Sequence, residues 1–414
     1  MSRQFLLILI FLFSFSQFSY CQKFVNIFTK GIVHDTVFLV DKKKKTLQVV
    51  QVYNDKIKII HEYHRILIGE KKGDKYKKGD KRTPEGIYQI RLYIPPSKLA
   101  KKYGDGAYPL NYPNPVDKIL GKTGGGIWIH GLIEGEKKLF TKGCVALHNG
   151  DLKDLSRFSP VGKYVIISKK VEYMNQKNYN LQKKFWLNFF NSYINSWQHN
   201  NFKKFSSFYH KLFINNKNQK LRSYLKIKRR LMKSYPYKRI HYNKLKIFKE
   251  DNKEVFIGFR QLYCAANLLN EGIKQLYLYK SGGQFKIIYE KYINSNSYKL
   301  LKTYIYNFIE NWKNSWQSKN LKKYINFYSK KFKNNKYNFN SWKIYKSNIF
   351  KKMKNIKVKI YRLKFHIIDP LTTEITFIQQ YDSDNYEDLG IKKLILTGCP
   401  GDYKIVSESW RKIK

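Results

Sequence analysis

A cysteine and a histidine stand fourteen positions apart, and each lies beside apolar residues that are typical of a β-strand. His130 ends the apolar run 127–129, and Cys144 follows Gly143 and precedes a second apolar run. A free thiol has a pKa of about 8.5 and is mostly neutral at pH 7, so a nucleophilic cysteine needs a base to take its proton. We therefore expect Cys144 to be a nucleophile and His130 to be its general base.

The glycine before the cysteine fits this chemistry. Gly143 lets the backbone come close to a reacting carbonyl, and its N–H, together with that of Cys144, would form an oxyanion hole. Taken singly, the residues have a simpler interpretation. A lone cysteine is commonly a buried small apolar residue, and a histidine at a strand end is commonly a surface hydrogen-bonding group. The residues around the pair decide between the two interpretations.

Those surrounding residues resemble the catalytic domain of the YkuD-type L,D-transpeptidases. His130-Gly131, a short spacer and Thr141-Lys142-Gly143-Cys144-Val145 follow the family pattern of His-Gly, spacer and Ser/Thr-x-Gly-Cys-Val. Further segments resemble the family in the same order: FLVD at 38–41 with TLQV at 46–49, GDKRTPEGIY at 79–88, and YPN at 112–114 with GKTG at 121–124. The sequence departs from the pattern at Ala146, where many members carry Arg, and in a spacer of 13 residues, which is slightly short.

The resemblance implies an enzyme of the bacterial cell wall. Cys144, deprotonated by His130, would attack the bond between the diamino acid and the terminal D-Ala in the tetrapeptide stem of peptidoglycan. A backbone carbonyl near Thr141 would orient the imidazole, and neither a metal nor a cofactor would be needed. The sequence offers no ligand cluster such as HExxH. The substrate-binding positions that the resemblance suggests are Tyr112, Trp128, Gly131, Thr141, Lys142 and Asn149.

The acyl acceptor decides the reaction and stays open at this point. Transfer to an amine of a second stem is L,D-transpeptidation, which we place first as the broader class. Transfer to water is L,D-carboxypeptidation, which trims tetrapeptide to tripeptide and is known of cell-shape-determining family members that carry an NTF2-like domain. A third alternative is a non-catalytic wall-binding protein with a decayed site, against which the intact His130, Gly143 and Cys144 argue.

Composition indicates an exported protein. Residues 1–21 combine a basic start, a short apolar core and a small-x-small cleavage site, which predicts a signal peptide, with an uncleaved anchor as the alternative. We expect the periplasm or cell wall as the location. The net charge of +52 is mostly Lys and spread over the chain of 414 residues. It fits either the codon bias of an AT-rich genome or attraction to an anionic wall, and we expect no nucleic-acid partner because no recognition motif is present.

The catalytic region is predicted to be rich in strands. Alternating residues at 37–50 and 57–68 predict a hairpin, and a strand is expected at 87–92. This glycine-punctuated pattern fits a small β-sandwich or closed sheet over 33–168, with the site on its rim. A short helix at 151–158 and a strand at 164–168 would close the domain, and the polar segment 169–182 would be a linker.

The remainder of the chain repeats itself. Trp197-Gln198 recurs as Trp316-Gln317, a shift of 119, so we predict two copies of one domain, at 183–293 and 300–414. Each copy resembles NTF2-like (SnoaL-like) domains, which are α+β cones, here with helices at 185–197, 202–213, 304–316 and 321–332 and strands at 255–259, 275–279 and 285–289. The repeats are candidates for contact with wall glycan or peptide and for homodimerisation.

Four cysteines are present, of which Cys21 would leave with the signal peptide. The remaining odd number in an oxidising compartment leaves at least one free thiol, as a nucleophile requires. Cys264 and Cys399 could form a disulfide, but they occupy different places in their repeats. We therefore expect two buried thiols.

Overall fold

The computed structural model describes residues 23–133, 135, 139–251, 253–384 and 386–413. The predicted signal peptide lies outside the described residues. Within those residues, no helix combines the length and the apolar character that crossing a bilayer would require. The chain forms a strand-rich N-terminal domain followed by two α+β repeats, which is the predicted order of folds.

The N-terminal domain contains two sheets. Its elements are β1 (Ile27–Lys30), β2 (His34–Asp41), β3 (Thr46–Tyr53), β4 (Lys56–Tyr63), β5 (Gly86–Gln89), β6 (Ala107–Pro109), α1 (Pro115–Ile119), β7 (Trp128–His130), β8 (Val145–Ala146), α2 (Asn149–Ser156) and β9 (Tyr164–Ser168). Five strands form a sheet in the order β4-β3-β2-β9-β5, and three form a smaller sheet in the order β6-β7-β8. The predicted hairpin is confirmed as β2 and β3, and the predicted strand 164–168 as β9.

The larger sheet is buried on both faces. Phe38, Val40 and Val49 point into a core shared with Ile129 and Val145 of the smaller sheet. Residues of the opposite face join a second core, which is built mainly by the first repeat. Apolar residues therefore run continuously along the centre of this sheet, as is typical of strands that are covered on both sides.

The first repeat wraps a long helix in a curved sheet. Its elements are α3 (Gln176–Gln198), α4 (Phe202–Ser206), β10 (Tyr209–Asn215), α5 (Leu221–Ser234), β11 (Lys238–Glu250), β12 (Glu254–Ala265), β13 (Leu268–Ser281) and β14 (Gln284–Asn294). The sheet order is β1-β11-β12-β13-β14-β10, so β1 from the start of the described chain completes the edge of this sheet. Helix α3 begins inside the segment predicted as a linker, because the Asn175 side chain accepts a hydrogen bond from the N–H of Asn178 and caps it.

The second repeat has the same plan with a smaller sheet. Its elements are α6 (Lys299–Gln317), α7 (Leu321–Ile325), α8 (Phe339–Lys352), β15 (Lys357–Asp369), β16 (Thr372–Ser383), β17 (Tyr386–Thr397) and β18 (Lys404–Lys412). The strands pair in sequence order, β15-β16-β17-β18. The recurring tryptophans, Trp197 and Trp316, are buried at equivalent places near the C-terminal ends of α3 and α6.

Two of the predicted helices are wrong in their second halves. Helix α4 ends at Ser206 and strand β10 begins at Tyr209, where helix had been predicted to 213. Helix α7 likewise ends at Ile325. The apolar spacing of these segments fits a helix, but Tyr209 pairs with Ile287 of β14, and this long-range pairing overrides the local pattern. Helices α5 and α8 were not predicted.

The expectation of two buried thiols is also wrong. Cys264 and Cys399 form a disulfide that joins the two repeats, with their Cα atoms 5.7 Å apart. Cys264 lies near the end of β12 and Cys399 lies in the turn before β18. Their repeats meet there, where Glu271 also accepts hydrogen bonds from the first N–H groups of α6. The sequence could not reveal the pairing, because the two cysteines lie at different places in their repeats and are brought together only by the packing of one repeat against the other.

Replacing both bridged cysteines by serine is expected to destabilise the protein by about 2–4 kcal/mol, because the bridge closes a long loop in the unfolded chain. Sequence separation across the bridge is 135 residues. The free energy of unfolding of Cys264→Ser/Cys399→Ser is measured in urea, with Cys144→Ser as the control that keeps the bridge. Equal unfolding midpoints for the double variant and the control would contradict the prediction.

Candidate active site

Pairing between β7 and β8 places the two predicted catalytic residues on one face of the smaller sheet. The strands are parallel, with Ile129 opposite Val145 and His130 opposite Ala146. Cys144 directly precedes Val145 and continues this register opposite Trp128. Since alternate residues of a strand share a face, His130 and Cys144 lie on the face opposite the buried Ile129 and Val145. A rise of about 3.3 Å per residue and a strand spacing of about 4.8 Å put their Cα atoms about 8 Å apart, so that the side chains can meet.

The histidine is held in one orientation. His130 Nδ1 lies 2.5 Å from the carbonyl oxygen of Gly131, and because a carbonyl only accepts, Nδ1 carries the proton. The ring is nearly buried, and the edge of Tyr103 packs against it with centroids 5.1 Å apart. This tautomer leaves Nε2 as the nitrogen that can accept a proton. The carbonyl that orients the imidazole had been expected near Thr141. It belongs instead to Gly131.

The thiol of Cys144 lies in a half-buried position on the rim of the sheet. Its Sγ donates to the carbonyl oxygen of Gly126 at 3.3 Å. Burial raises the pKa of Cys144, while a hydrogen bond from the backbone of Trp128 and the charges of Lys102 and Lys75 act in the opposite direction. The thiol is therefore protonated in the free protein at neutral pH. Its activation requires a base, which would take the proton while the sulfur attacks a bound substrate.

The loop before the cysteine is braced by a threonine. Thr141 Oγ1 accepts a hydrogen bond from the Gly143 N–H at 3.0 Å and donates to the Cys144 carbonyl at 2.7 Å. The N–H predicted to serve an oxyanion hole is therefore engaged within the loop in the free protein. Gly143 is also required sterically, since its φ is +130° and a Cβ there would lie 2.8 Å from the carbonyl oxygen of Arg82.

The remaining predicted substrate-binding residues divide into two groups. Trp128 is half-buried against Tyr103, and Lys142 is exposed, so both can reach a substrate. Tyr112 is only 6% exposed and donates to the Thr123 carbonyl, which makes it part of the scaffold. Asn149 is also scaffold, because its Oδ1 accepts from the N–H groups of Leu132 and Asp105.

Gly131, another of these positions, cannot accept a side chain. Gly131 is buried, and a Cβ there would lie 2.3 Å from the Asn149 side-chain oxygen. Sequence analysis missed Lys75, Lys102 and Tyr103 as neighbours of the reactive pair. The only signal in the sequence was the glycine- and proline-rich composition of residues 103–115.

The segment 79–86 (GDKRTPEG) contacts the loop that contains Cys144. Asp80 is partly buried, which raises its pKa, but hydrogen bonds from Lys75 and from the backbone N–H groups of Tyr76, Lys77 and Arg82 hold the net pKa well below the usual range. Thr83 Oγ1 accepts from the Gly69 N–H at 2.7 Å and donates to the Cys144 carbonyl at 3.4 Å. The loop therefore receives hydrogen bonds from two threonines. Among the residues that the structure describes, no group of three or more His, Cys, Asp or Glu could hold a metal ion.

Comparison with family models agrees with this division of the chain. A model described as the L,D-transpeptidase catalytic domain matches residues 35–167. A second model, described as the Cds6 C-terminal NTF2-like domain, matches residues 186–291 and again 304–409. Together the two NTF2-like matches cover half of the chain. No curated protein matches the sequence.

Two solved structures extend the similarity across domains. The chain is similar to Bd1075 of Bdellovibrio bacteriovorus, with 27% identity, a TM-score of 0.60, and coverage of 67% of this chain and 100% of that one. It is also similar to the helical cell shape determining protein Pgp2 of Campylobacter jejuni, with 27% identity and a TM-score of 0.52. That match covers 64% of this chain and 94% of Pgp2.

Alkylation of Cys144 by iodoacetamide is expected to speed up as pH rises beyond the ordinary range of a cysteine pKa, since burial raises the pKa and only the thiolate reacts. Removing a nearby cation raises the pKa further. Lys102→Met should therefore slow alkylation at pH 8 by about 2–3-fold, whereas Lys153→Met, on the exposed side of α2, should not. Rates are followed by mass spectrometry, and an unchanged rate in Lys102→Met would refute the electrostatic contribution.

Proposed function

This chain belongs to the family that joins a YkuD-type L,D-transpeptidase catalytic domain to C-terminal NTF2-like domains, and from this membership we propose that it opens peptidoglycan stem peptides by cysteine catalysis. The observation that carries the proposal is the placement of His130 and Cys144 on the same face of the smaller sheet. A cysteine, a fixed imidazole and a close backbone approach at Gly143 are the groups that acyl transfer through a thioester needs.

The steps follow from the orientation of the imidazole. Nε2 of His130 takes the thiol proton, and Sγ of Cys144 attacks the carbonyl carbon of the diamino acid. The C–N bond to D-Ala breaks, the leaving amine takes the proton from His130, and a thioester remains. The developing oxyanion is stabilised by the N–H of Cys144 and by that of Gly143, once substrate displaces the Thr141 hydroxyl from the latter.

Water is the acyl acceptor that we favour. One similar structure is described as a helical cell shape determining protein, which supports the carboxypeptidase alternative of the sequence analysis. Ala146 lies beside His130 and offers no cation to hold the carboxylate of a second stem. Transfer to an amine is the second candidate, and the description of the matching family model favours it. We place the enzyme in the cell envelope, delivered by the predicted signal peptide.

Each repeat carries a cationic pocket that fits the carboxylates of stem peptides. In the first, Lys274 bridges Glu290 at 3.0 Å beside Lys228, around a cavity of about 320 Å³. In the second, the equivalent trio is Lys392, Glu408 and Lys346, where the bridge is 2.9 Å and the cavity about 540 Å³. Two ammonium groups face one carboxylate in each, so a bound anion would balance the charge. Aromatic walls, such as Trp316 and Trp410, suit glycan contact as well.

Purified protein incubated with tetrapeptide muropeptides is expected to release D-Ala and give tripeptide monomers. Products are identified by mass. A dimer cross-linked between two diamino acids would instead assign amine transfer. The matched control, Cys144→Ala, should form neither product. Release of tripeptide by that variant would rule out Cys144 as the nucleophile.

Binding to isolated cell walls is expected to weaken between about pH 6 and pH 9. Burial lowers the pKa of Lys346 to about 7 and that of Lys228 to about 8, so each loses its positive charge as pH rises through these values. At pH 6, Lys346→Met should reduce the bound fraction several-fold, while the exposed Lys343→Met, on the same helix, should not. Equal binding by both variants would contradict a role for the pocket.

A further inference from the structure

Two residues of the first repeat, Lys253 and Glu254 at the start of β12, contact the catalytic domain. Lys253 Nζ lies 3.0 Å from Oε2 of Glu85 and 3.8 Å from Oδ2 of Asp74. Glu254, the next residue, is 4% exposed and accepts hydrogen bonds from the side-chain amide of Asn114 at 3.0 and 3.3 Å. One repeat therefore contributes a half-exposed ammonium and a buried carboxyl group to contacts with a different domain.

The ammonium connects to the cysteine loop through a short series of contacts. The other oxygen of Glu85 binds Lys42 at 3.0 Å, and Lys42 donates to the Thr83 carbonyl at 2.7 Å. Thr83 in turn donates through its hydroxyl to the Cys144 carbonyl. Without Lys253, Glu85 keeps Lys42 and Asp74 keeps Lys122 as partners, but Oε2 of Glu85 loses its ammonium beside Asp74. The increased repulsion between the two carboxylates would shift the 83–85 backbone.

The carboxyl group contacts the next residue of the same segment. A Cβ on Gly86 would lie 3.1 Å from Oε2 of Glu254, so the Glu254 side chain lies close to the Gly86 backbone. Asn114, which Glu254 orients, also donates to the carbonyl of Ile87. Burial raises the pKa of Glu254 well above its ordinary value, so the group is neutral and no charge is left unpaired.

We infer that Lys253 and Glu254 are positioning residues for Cys144, which makes the first repeat part of the active-site scaffold in addition to a wall-binding module. This inference rests on the proposed role of Cys144 as nucleophile. The two residues contact Glu85 and Gly86 at the C-terminal end of the 83–86 segment. Thr83 of this segment donates to the Cys144 carbonyl, and Arg82, just before it, lies close to Gly143. The contact thus sets the direction of the thiol relative to His130.

The experiment compares full-length variants by the rate and pH profile of Cys144 alkylation with iodoacetamide, which requires no substrate. Lys253→Met should react about 3-fold more slowly at pH 8, and Lys253→Arg should restore the rate to within about 2-fold, because the guanidinium can still bridge Glu85. Glu254→Ala should slow the reaction more, while Glu254→Gln, which keeps the shape of the neutral group, should resemble the unchanged protein.

A surface ion pair of the second repeat provides the matched control. Lys393 binds Glu374 at 3.1 Å with its side chain 48% exposed, against 49% for Lys253. Lys393→Met removes an ion pair whose lysine is as exposed as Lys253 and which lies far from the site. It should leave alkylation unchanged.

If Lys253→Met and Glu254→Ala fold and match the control in rate and pH profile, the turn only joins the domains and the inference fails. Should Glu254→Ala not fold, Lys253→Met decides alone, because its site is exposed. Turnover of muropeptides is measured in parallel. Slower alkylation together with no turnover by the unchanged protein would leave the positioning role intact and overturn the proposed function instead.

Discussion

The parallel pairing of two very short strands determines whether this protein has a reactive centre. With β7 and β8 in their observed register, Ile129 and Val145 fill the core and turn His130 and Cys144 to the opposite face. A slip of one residue would bury one of the two reactive groups and expose an apolar side chain. The free energy gained by burying the two apolar residues thus also fixes the chemistry of their neighbours.

The surroundings of the thiol combine opposing requirements. Burial keeps the thiol protonated and so protects it from oxidation, since a permanent thiolate would be the form most readily oxidised. Lys75 and Lys102 moderate this effect without cancelling it. The hydrogen bonds of Thr141 keep the loop in one conformation before substrate arrives. In the free protein the loop is therefore ordered while the thiol stays protonated and unreactive. Substrate binding has to complete the site.

The sequence predicted those structural features that depend on the type and spacing of neighbouring residues. The hairpin, strand β9 and the repeats all follow from spacing and residue type. The catalytic roles of His130 and Cys144 stay a prediction. The failures share one cause, which is contact between distant parts of the chain. Tyr209 lies in a strand because β14 is beside it, and Cys264 meets Cys399 because two repeats pack in one orientation. The scaffold roles of Tyr112 and Asn149 were missed for the same reason, since burial within a loop region cannot be inferred from the residue alone.

Strand β1 has a consequence for how the molecule is made. It pairs with β11, so that Ile27 lies opposite Phe248, more than two hundred residues later in the chain. The earliest described strand must wait until most of the first repeat has emerged before its backbone groups find partners. Closing so large a loop is slow, and the unpaired edge of β11 is open to other chains until it happens. Assembly of the catalytic domain with its neighbour is therefore a late event, during which newly made chains depend most on protection from aggregation.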